Sequence, residues 1–243
     1  MRFQTPLLRA TLLRRYKRFL ADIRLEDGRE ATAHCANPGA MTGLARPGAR
    51  IWVEPNDDRR KKLSYAWRLV DLGDGRMAGV DTSLPNRLLR AALADGAVPD
   101  LSGYGTVLPE QRYGTASRVD FLLRDAQRRD AYVEVKSVTL HRQHRIAEFP
   151  DTVTERGARH LGELADMARA GHRAVLFYIV QRNDCEAVGV AADIDPAYAA
   201  ALQAATSAGV EVLAYDTELS PQGVSLRNRL PVIFGDHGTQ GPL

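Results

Sequence analysis

The sequence contains no apolar run approaching the roughly 18–20 residues of a membrane-spanning helix. It also has no apolar leader. Residues 1–20 interleave their apolar side chains with Arg2, Arg9, Arg14, Arg15, Lys17 and Arg18, and no small-residue cleavage site follows. Cysteine is scarce: Cys35 and Cys185 are the only two, far apart, which excludes a disulfide framework and points to a reduced, cytoplasmic protein. There is no internal repeat and no low-complexity tract. Lysine is rarer than its charge would suggest, with four of the 33 basic residues: Lys17, Lys61, Lys62 and Lys136. Where arginine serves almost everywhere, a retained lysine marks a place that needs ammonium chemistry.

What is present is 243 residues, 44% of them hydrophobic, enough for one large domain or two small ones with real cores. The net charge of +3 conceals an asymmetry: residues 1–100 carry 18 Lys/Arg against 12 Asp/Glu, and residues 101–243 carry 15 against 18. A basic half beside a mildly acidic half fits a polyanion partner for the first and working carboxylates in the second. In the first third, short alternating runs (Phe19, Ala21, Ile23, Leu25; Ala31, Ala33, Cys35; Leu63, Tyr65, Trp67, Leu69) are punctuated by Asp27-Gly28 and Asp74-Gly75. This predicts a small β-barrel, of which an OB-like barrel is one and other small barrels remain open. A helix is expected over residues 85–95 and a domain boundary between about residues 83 and 104. Beyond it, strands near 106–113, 118–124, 131–140, 174–180 and 210–214 alternate with helices over 153–170 and 196–208. That order implies a mixed sheet flanked by helices.

The informative stretch is Ser117-Arg118-Val119-Asp120-Phe121-Leu122-Leu123 followed by Ala131-Tyr132-Val133-Glu134-Val135-Lys136-Ser137-Val138. Alternation places Glu134 and Lys136 on one face of the second strand, and Arg118 and Asp120 on one face of the first. Pairing the apolar faces sets Val119 opposite Val135, Phe121 opposite Val133 and Asp120 opposite Glu134, with residues 125–129 as the loop. Two carboxylates facing each other repel unless a cation lies between them. Asp120 and Glu134 thus form a candidate site for Mg²⁺ or Mn²⁺, ions that take oxygen ligands. Lys136 is placed to orient or deprotonate a water, or to stabilise developing negative charge on a phosphoryl group. An ordinary exposed ion-pair face is the competing reading of any single Glu-x-Lys; the Asp on the preceding strand and the rarity of lysine weigh against it. Glu110, one strand earlier, is a candidate third carboxylate. His141 and His144 have no cysteine or further histidine at zinc spacing, so they read as part of a basic loop.

On the helix over 153–170, Val153, Leu161, Leu164 and Ala168 form an apolar stripe. Arg156, His160 and Glu163 form a polar stripe that either faces solvent or flanks the hairpin site, with Arg156 toward phosphate. In the first half, Arg59-Arg60-Lys61-Lys62 runs into a strand bearing Tyr65 and Trp67, the mixture of cations and aromatic rings used on nucleic acids; core packing of the rings is the alternative. Paired Asp120 and Glu134 also suit a glycosidase, but Lys136 and the basic first half argue against that.

The chain resembles the sugar fermentation stimulation protein A family of DNA-binding proteins, over nearly its whole length. The resemblance is carried by Arg15-Tyr16-Lys17-Arg18-Phe19-Leu20-Ala21-Asp22, Asn37-Pro38-Gly39-Ala40-Met41-Thr42-Gly43-Leu44, Leu84-Pro85-Asn86 and Ser117-Arg118-Val119-Asp120-Phe121. It continues through Val133-Glu134-Val135-Lys136-Ser137-Val138-Thr139-Leu140, Phe149-Pro150-Asp151, Arg156-Gly157 and Val210-Glu211-Val212-Leu213-Ala214-Tyr215. It implies an α+β chain: an OB-like β-barrel that binds nucleic acid over residues 1–83, then a restriction-endonuclease-like (PD-(D/E)xK) α/β domain with a mixed central sheet over 84–243. The motif's Asp, Glu and Lys fall on Asp120, Glu134 and Lys136. The partner implied is DNA, bound without strong sequence preference, with a link to the regulation of sugar (maltose) metabolism. The candidate DNA contacts are Arg15, Lys17, Arg18, Arg59, Arg60, Lys61, Lys62, Arg118 and Arg156. A metal-dependent nuclease and a non-catalytic DNA-binding regulator that keeps the nuclease fold are both compatible with it. Pro38, Asp81 and Arg159 depart from the family's usual Thr, Asn and Lys, and none of them lies in the nuclease motif.

Overall fold

The computed structural model describes residues 1–58, 60, 62–114 and 117–234. The alternating runs of the first third become strands β1 (Leu8–Tyr16), β2 (Leu20–Leu25), β3 (Glu30–Cys35), β4 (Arg50–Pro55), β5 (Tyr65–Gly73) and β6 (Arg76–Gly79). They run in the order β3-β2-β1-β4-β5-β6, and a parallel pairing of β3 with β5 closes the first five into a barrel. Their inward side chains, among them Leu12, Ile23, Ala33, Ile51, Val53 and Trp67, are fully buried and form the barrel core. Trp67 is a core residue whose indole N–H donates to the Leu69 carbonyl at 3.0 Å, and Tyr65 packs half-buried beside it. Asp74 and Gly75 both take positive φ (54° and 75°), the mirror-image turn that matches strand twist in a tight hairpin. β1 escaped the alternation pattern because Leu12 and Leu13 are adjacent and the strand bulges between Leu12 and Arg14.

The second half begins with α1 (Leu84–Ala94) and a short 3₁₀ turn (Pro99–Leu101). It continues through β7 (Thr106–Tyr113), β8 (Ser117–Asp125), β9 (Arg128–Val138), β10 (Leu140–His141), β11 (Ile146–Phe149), α2 (Glu155–Arg169), β12 (Arg173–Val180), β13 (Ala187–Val190), α3 (Pro196–Ser207), β14 (Glu211–Ser220), β15 (Gly223–Arg229) and β16 (Val232–Ile233). The main sheet runs β15-β14-β12-β9-β8-β7, with β12 parallel to both β9 and β14 and the outer pairs antiparallel. β12, an unbroken apolar run, lies at its centre and is buried on both faces, as parallel strands require. One face packs Leu89 of α1 against Phe121, Val133, Phe177 and Tyr215; the other packs Leu161 and Leu164 of α2 and Tyr198 of α3 against Val119, Leu176 and Tyr178. A second, small sheet (β10-β11-β13-β16) was not expected, because its strands are two to four residues long and carry no alternation.

Both long caps follow sequence chemistry. The Thr154 hydroxyl accepts from the Gly157 N–H at the start of α2, and the Asp195 carboxylate from the Tyr198 N–H at the start of α3. Capping at Thr154 leaves Val153 outside the helix and 69% exposed, not on the apolar stripe where periodicity placed it. Both cysteines are buried and free. Among the described residues no helix is long and apolar enough to cross a membrane.

The halves are joined by a seam. The Gly79 N–H donates to the Gln181 carbonyl (2.8 Å), the Met77 N–H to the Asn183 side chain (2.7 Å), and the Gln181 amide to the Asp81 carbonyl and the Ser137 hydroxyl. Farther along, Asp151 accepts from the Met41 N–H at 3.1 Å and sits against Gly39, where a Cβ would come within 2.4 Å of its carboxylate. Any larger residue at Gly39 would have to displace the Asp151 carboxylate and its bond to Met41.

Removing the barrel's largest core side chain tests this account. Trp67→Ala is expected to lower stability by about 3–5 kcal/mol in denaturant melts. A loss under about 1 kcal/mol would contradict the placement of Trp67 in the core.

Candidate active site

The hairpin of β8 and β9 pairs Phe121 with Val133, Leu122 with Tyr132 and Leu123 with Ala131, the register expected from the apolar faces. It turns more tightly than expected: Asp125 pairs with Arg128, so the loop is Ala126 and Gln127, with a bulge between Leu123 and Asp125. At the other end the ladder stops at Phe121. Val119 and Asp120 do not pair with Val135 and Glu134 as the alternation implied, because the Asp120 carboxylate takes the Val135 N–H at 2.7 Å in place of a strand carbonyl. The strand turns over at that point: Val119 and Phe121, expected on one face, pack in the cores on opposite faces of the sheet.

The split brings a set of polar groups together. Asn86, in the first turn of α1, donates its amide to the other Asp120 oxygen at 2.6 Å. Glu134 is almost fully buried, and its Oε1 accepts from the Lys136 ammonium at 2.7 Å and from His160 Nδ1–H in a very short contact. Arg156 donates to the opposite ring nitrogen of His160 at 3.2 Å, which assigns the imidazole as acceptor there and donor to Glu134. The polar stripe of α2 is therefore no solvated face: His160 and Glu163 are buried against the sheet, and Arg156 alone of the three is exposed.

Burying carboxylates shows in their proton affinities. Burial, reinforced by the charge of Glu134, pushes the Asp120 carboxyl up to about 6. Burial pushes Glu134 the same way, but the His160 hydrogen bond and the Lys136 charge outweigh it and hold Glu134 below the ordinary carboxylate range. The Tyr113 hydroxyl is driven upward by burial and by the nearby charges of Glu134, Glu163 and Asp120. Three buried oxygens here lack a hydrogen-bond partner among the described residues: Glu134 Oε2, Glu163 Oε2 and Tyr113 OH. An orphaned, ionised carboxylate oxygen is costly in a protein interior and is the kind of atom a cation relieves. No three His, Cys, Asp or Glu side chains form a ready-made cage among the described residues. Two carboxylates nonetheless suit Mg²⁺ or Mn²⁺, since Mg²⁺ is commonly held by one or two carboxylates and keeps several waters.

The other expected residues fall in three groups. Glu110 is exposed, with left-handed backbone (φ 53°), between the β7–β8 pairs Pro109–Phe121 and Gln111–Val119; no hydrogen bond or ion pair joins it to Asp120 or Glu134. Arg15 is half-buried and donates to the carbonyls of Arg18, Asn37 and Gly39, so it fastens loops together. Lys17 and Arg18 are exposed at the β1–β2 tip, Arg60 is exposed and paired with Asp58, Lys62 is exposed, and Arg118 lies opposite Arg112, both exposed, on the β7–β8 edge. Arg59 and Lys61 lie outside the described residues. A cleft of about 590 Å³ separates the barrel from the second half beside Lys136, with Arg18, Asn37, Phe149, Val153 and Arg156 in its walls. Asn86 was not foreseen as a site residue, since an Asn in a helix's first turn reads as surface; its role depends on α1 packing over the sheet.

Residues 13–80 match the sequence family described as the SfsA N-terminal OB domain, and residues 83–223 match the Sugar fermentation stimulation protein RE domain. A sugar fermentation stimulation protein homolog of Ruegeria pomeroyi is 61% identical over 95% of this chain and all of that protein. One from Dinoroseobacter shibae is 57% identical over all of this chain and 98% of that one. The solved structure of Pyrococcus furiosus SfsA in complex with Ca²⁺ superposes with a TM-score of 0.86 at 30% identity, covering 96% of this chain and 98% of that one. The architecture is thus an OB barrel followed by a restriction-endonuclease-like α/β domain with a mixed sheet.

The raised Asp120 has a consequence for stability. With its folded carboxyl at about 6 against roughly 3.9 unfolded, the folded state holds a proton that the unfolded state has lost in between, so this group's contribution worsens as pH rises from about 4 to 6. Asp120→Asn removes this titration but sets an amide NH2 against one of two donors, so it carries a constant penalty at every pH. Its stability relative to the native protein is expected to improve by on the order of 2 kcal/mol between about pH 4 and pH 7, measured by denaturant melts in EDTA, and a difference independent of pH would refute this.

Proposed function

The chain belongs to the sugar fermentation stimulation protein family, and from that premise we propose that it is a cytoplasmic DNA-binding protein carrying a metal-dependent phosphodiesterase site. Residues 1–83 are assigned to nucleic-acid binding and 84–243 to the nuclease-like domain. The observation that carries the reading is the split hairpin, where Asp120, Glu134 and Lys136 meet beside the cleft and Glu134 keeps one buried oxygen unpartnered. Asp120 and Glu134 would hold Mg²⁺ or Mn²⁺, with Glu110 approaching from the solvent edge. Such an ion supplies Lewis acidity, acidifying water and neutralising charge on a phosphoryl oxygen.

The chain's own groups do the remaining work. Arg156 and His160 hold Glu134 in one orientation. Lys136, anchored on Glu134 and lining the cleft, orients the attacking water and offsets charge on the phosphate. Arg118, Arg156, Lys17, Arg18 and the run Arg59 to Lys62 bind DNA phosphates, which carry no sequence information and so give little sequence preference.

A second reading, a non-catalytic DNA-binding regulator of sugar metabolism, is favoured by one observation. Both Asp120 oxygens and Oε1 of Glu134 already accept protein hydrogen bonds. Incubation with single-stranded, nicked, flapped and branched DNA plus Mg²⁺ or Mn²⁺ separates the two. Cleavage is expected, with Lys136→Ala cutting at least about 100-fold more slowly while still binding DNA in EDTA. If no substrate is cut, or Lys136→Ala cuts as well as the native protein, the nuclease reading fails and the regulator stands.

A further inference from the structure

The β1–β2 tip has a feature the phosphodiesterase site does not use. Phe19 is 46% exposed, yet stacks on the exposed His34 of β3 with ring centroids 6.5 Å apart and planes 26° from parallel. Elsewhere on the barrel the half-buried rings of Trp52 and Tyr16 are covered by the guanidinium groups of Arg9 and Arg14, whereas among the described residues no cation stacks on this exposed pair, which offers a flat face. It lies on the surface that OB barrels offer to oligonucleotides, the β2–β3 face and the β1–β2 loop. The two residues before Phe19, Lys17 and Arg18, both take left-handed backbone (φ 48° and 64°). Long side chains are strained there and Asn-Gly would be relaxed. Two cations are kept at a place where the backbone disfavours them. Arg15 ties the Arg18 carbonyl to those of Asn37 and Gly39, so the tip is fixed at the mouth of the cleft.

The cleft itself runs from Arg18 to Lys136 and Arg156. Its walls carry three cations, Arg18, Lys136 and Arg156, beside apolar surface that includes Phe149 and the 69% exposed Val153. Its two carboxylates are engaged: Arg142 donates twice to Glu148 at 2.7 Å, and Asp151 holds the Met41 N–H. At about 590 Å³ it has the size of a small-ligand pocket, which admits unpaired nucleotides and leaves a duplex outside.

We infer that this cleft is the track of an unpaired DNA strand, with Phe19 on His34 stacking a base at its mouth, Lys17, Arg18 and Arg156 holding phosphates, and Lys136 at its inner end. The inference rests on the DNA-binding reading above and adds strandedness to it. The native strand enters from the barrel tip and reaches the carboxylates past Lys136.

The test is fluorescence anisotropy of the full chain in EDTA, with a labelled single-stranded DNA, its blunt duplex and the RNA of the same sequence. The single strand is expected to bind more tightly than the duplex. Phe19→Ala should weaken single-strand binding about tenfold and duplex binding far less, as for loss of one base stack. The double variant Lys17→Asn, Arg18→Gly should melt no lower than the native protein yet bind the single strand more weakly, a split that a purely structural role does not produce. Phe234→Ala, 57% exposed and outside the cleft, is the control and should change nothing. Equal affinity for duplex and single strand, an unchanged Phe19→Ala, or tighter binding of RNA would overturn the inference. Since EDTA silences cutting, absence of nuclease activity leaves this measurement standing. Absence of binding to any DNA would instead strike the DNA reading, and the track with it.

Discussion

Two acidic side chains, the half-buried Asp120 and the buried Glu134, set the conditions for everything around them. Asp120 and Glu134 sit close enough for the charge of one to raise the proton affinity of the other. A protein interior does not hold such a pair without compensation. The compensation is distributed over elements distant in sequence: Asn86 from α1, Lys136 from the same strand, His160 from α2, and the main-chain N–H of Val135. Each of these requires its element to be docked, so the packing of both helical layers on the sheet is coupled to the state of the two carboxylates. Glu134 is stabilised as an anion and Asp120 is not. The asymmetry divides the pair into one carboxyl held below the ordinary range and one raised to about 6.

The β8–β9 register from Phe121 to Leu123 and the central strand β12 were readable because burial on a defined face leaves one alternation that works, and both were found as expected. The split at Asp120 was not readable. It arises when a side chain displaces a backbone partner, and period-two arithmetic assumes an intact ladder. For the same reason the expected facing pair of Asp120 and Glu134 became a carboxylate at a strand fork beside a buried Glu. The polar stripe of α2 was visible as a stripe, yet whether it met water or the sheet depended on the docking of the helix. His160 shows the difference: a histidine at helical spacing becomes the group that fixes Glu134 only once Leu161 and Leu164 are seated in the core.

The three positions at which the resemblance implies other residues have physical places. Asp81 accepts from Arg68 and Arg87 at 2.7 Å each, an ionic junction between barrel and α1 that an amide would hold less strongly. Pro38 lies in the cleft wall beside Gly39, in the loop that Arg15 secures. Arg159 is exposed, and nothing in the structure explains why it replaces lysine.

The seam between the halves has a mechanical meaning. Main-chain bonds from Gly79 to Gln181, side-chain bonds through Asn183, and the close fit of Gly39 against Asp151 fasten the barrel to the second half at both ends of the cleft. Proteins that clamp a ligand do so by swinging on a few yielding residues; here both rims are riveted. The cleft walls are therefore braced to one another, and any change in the width between them has to break these bonds first.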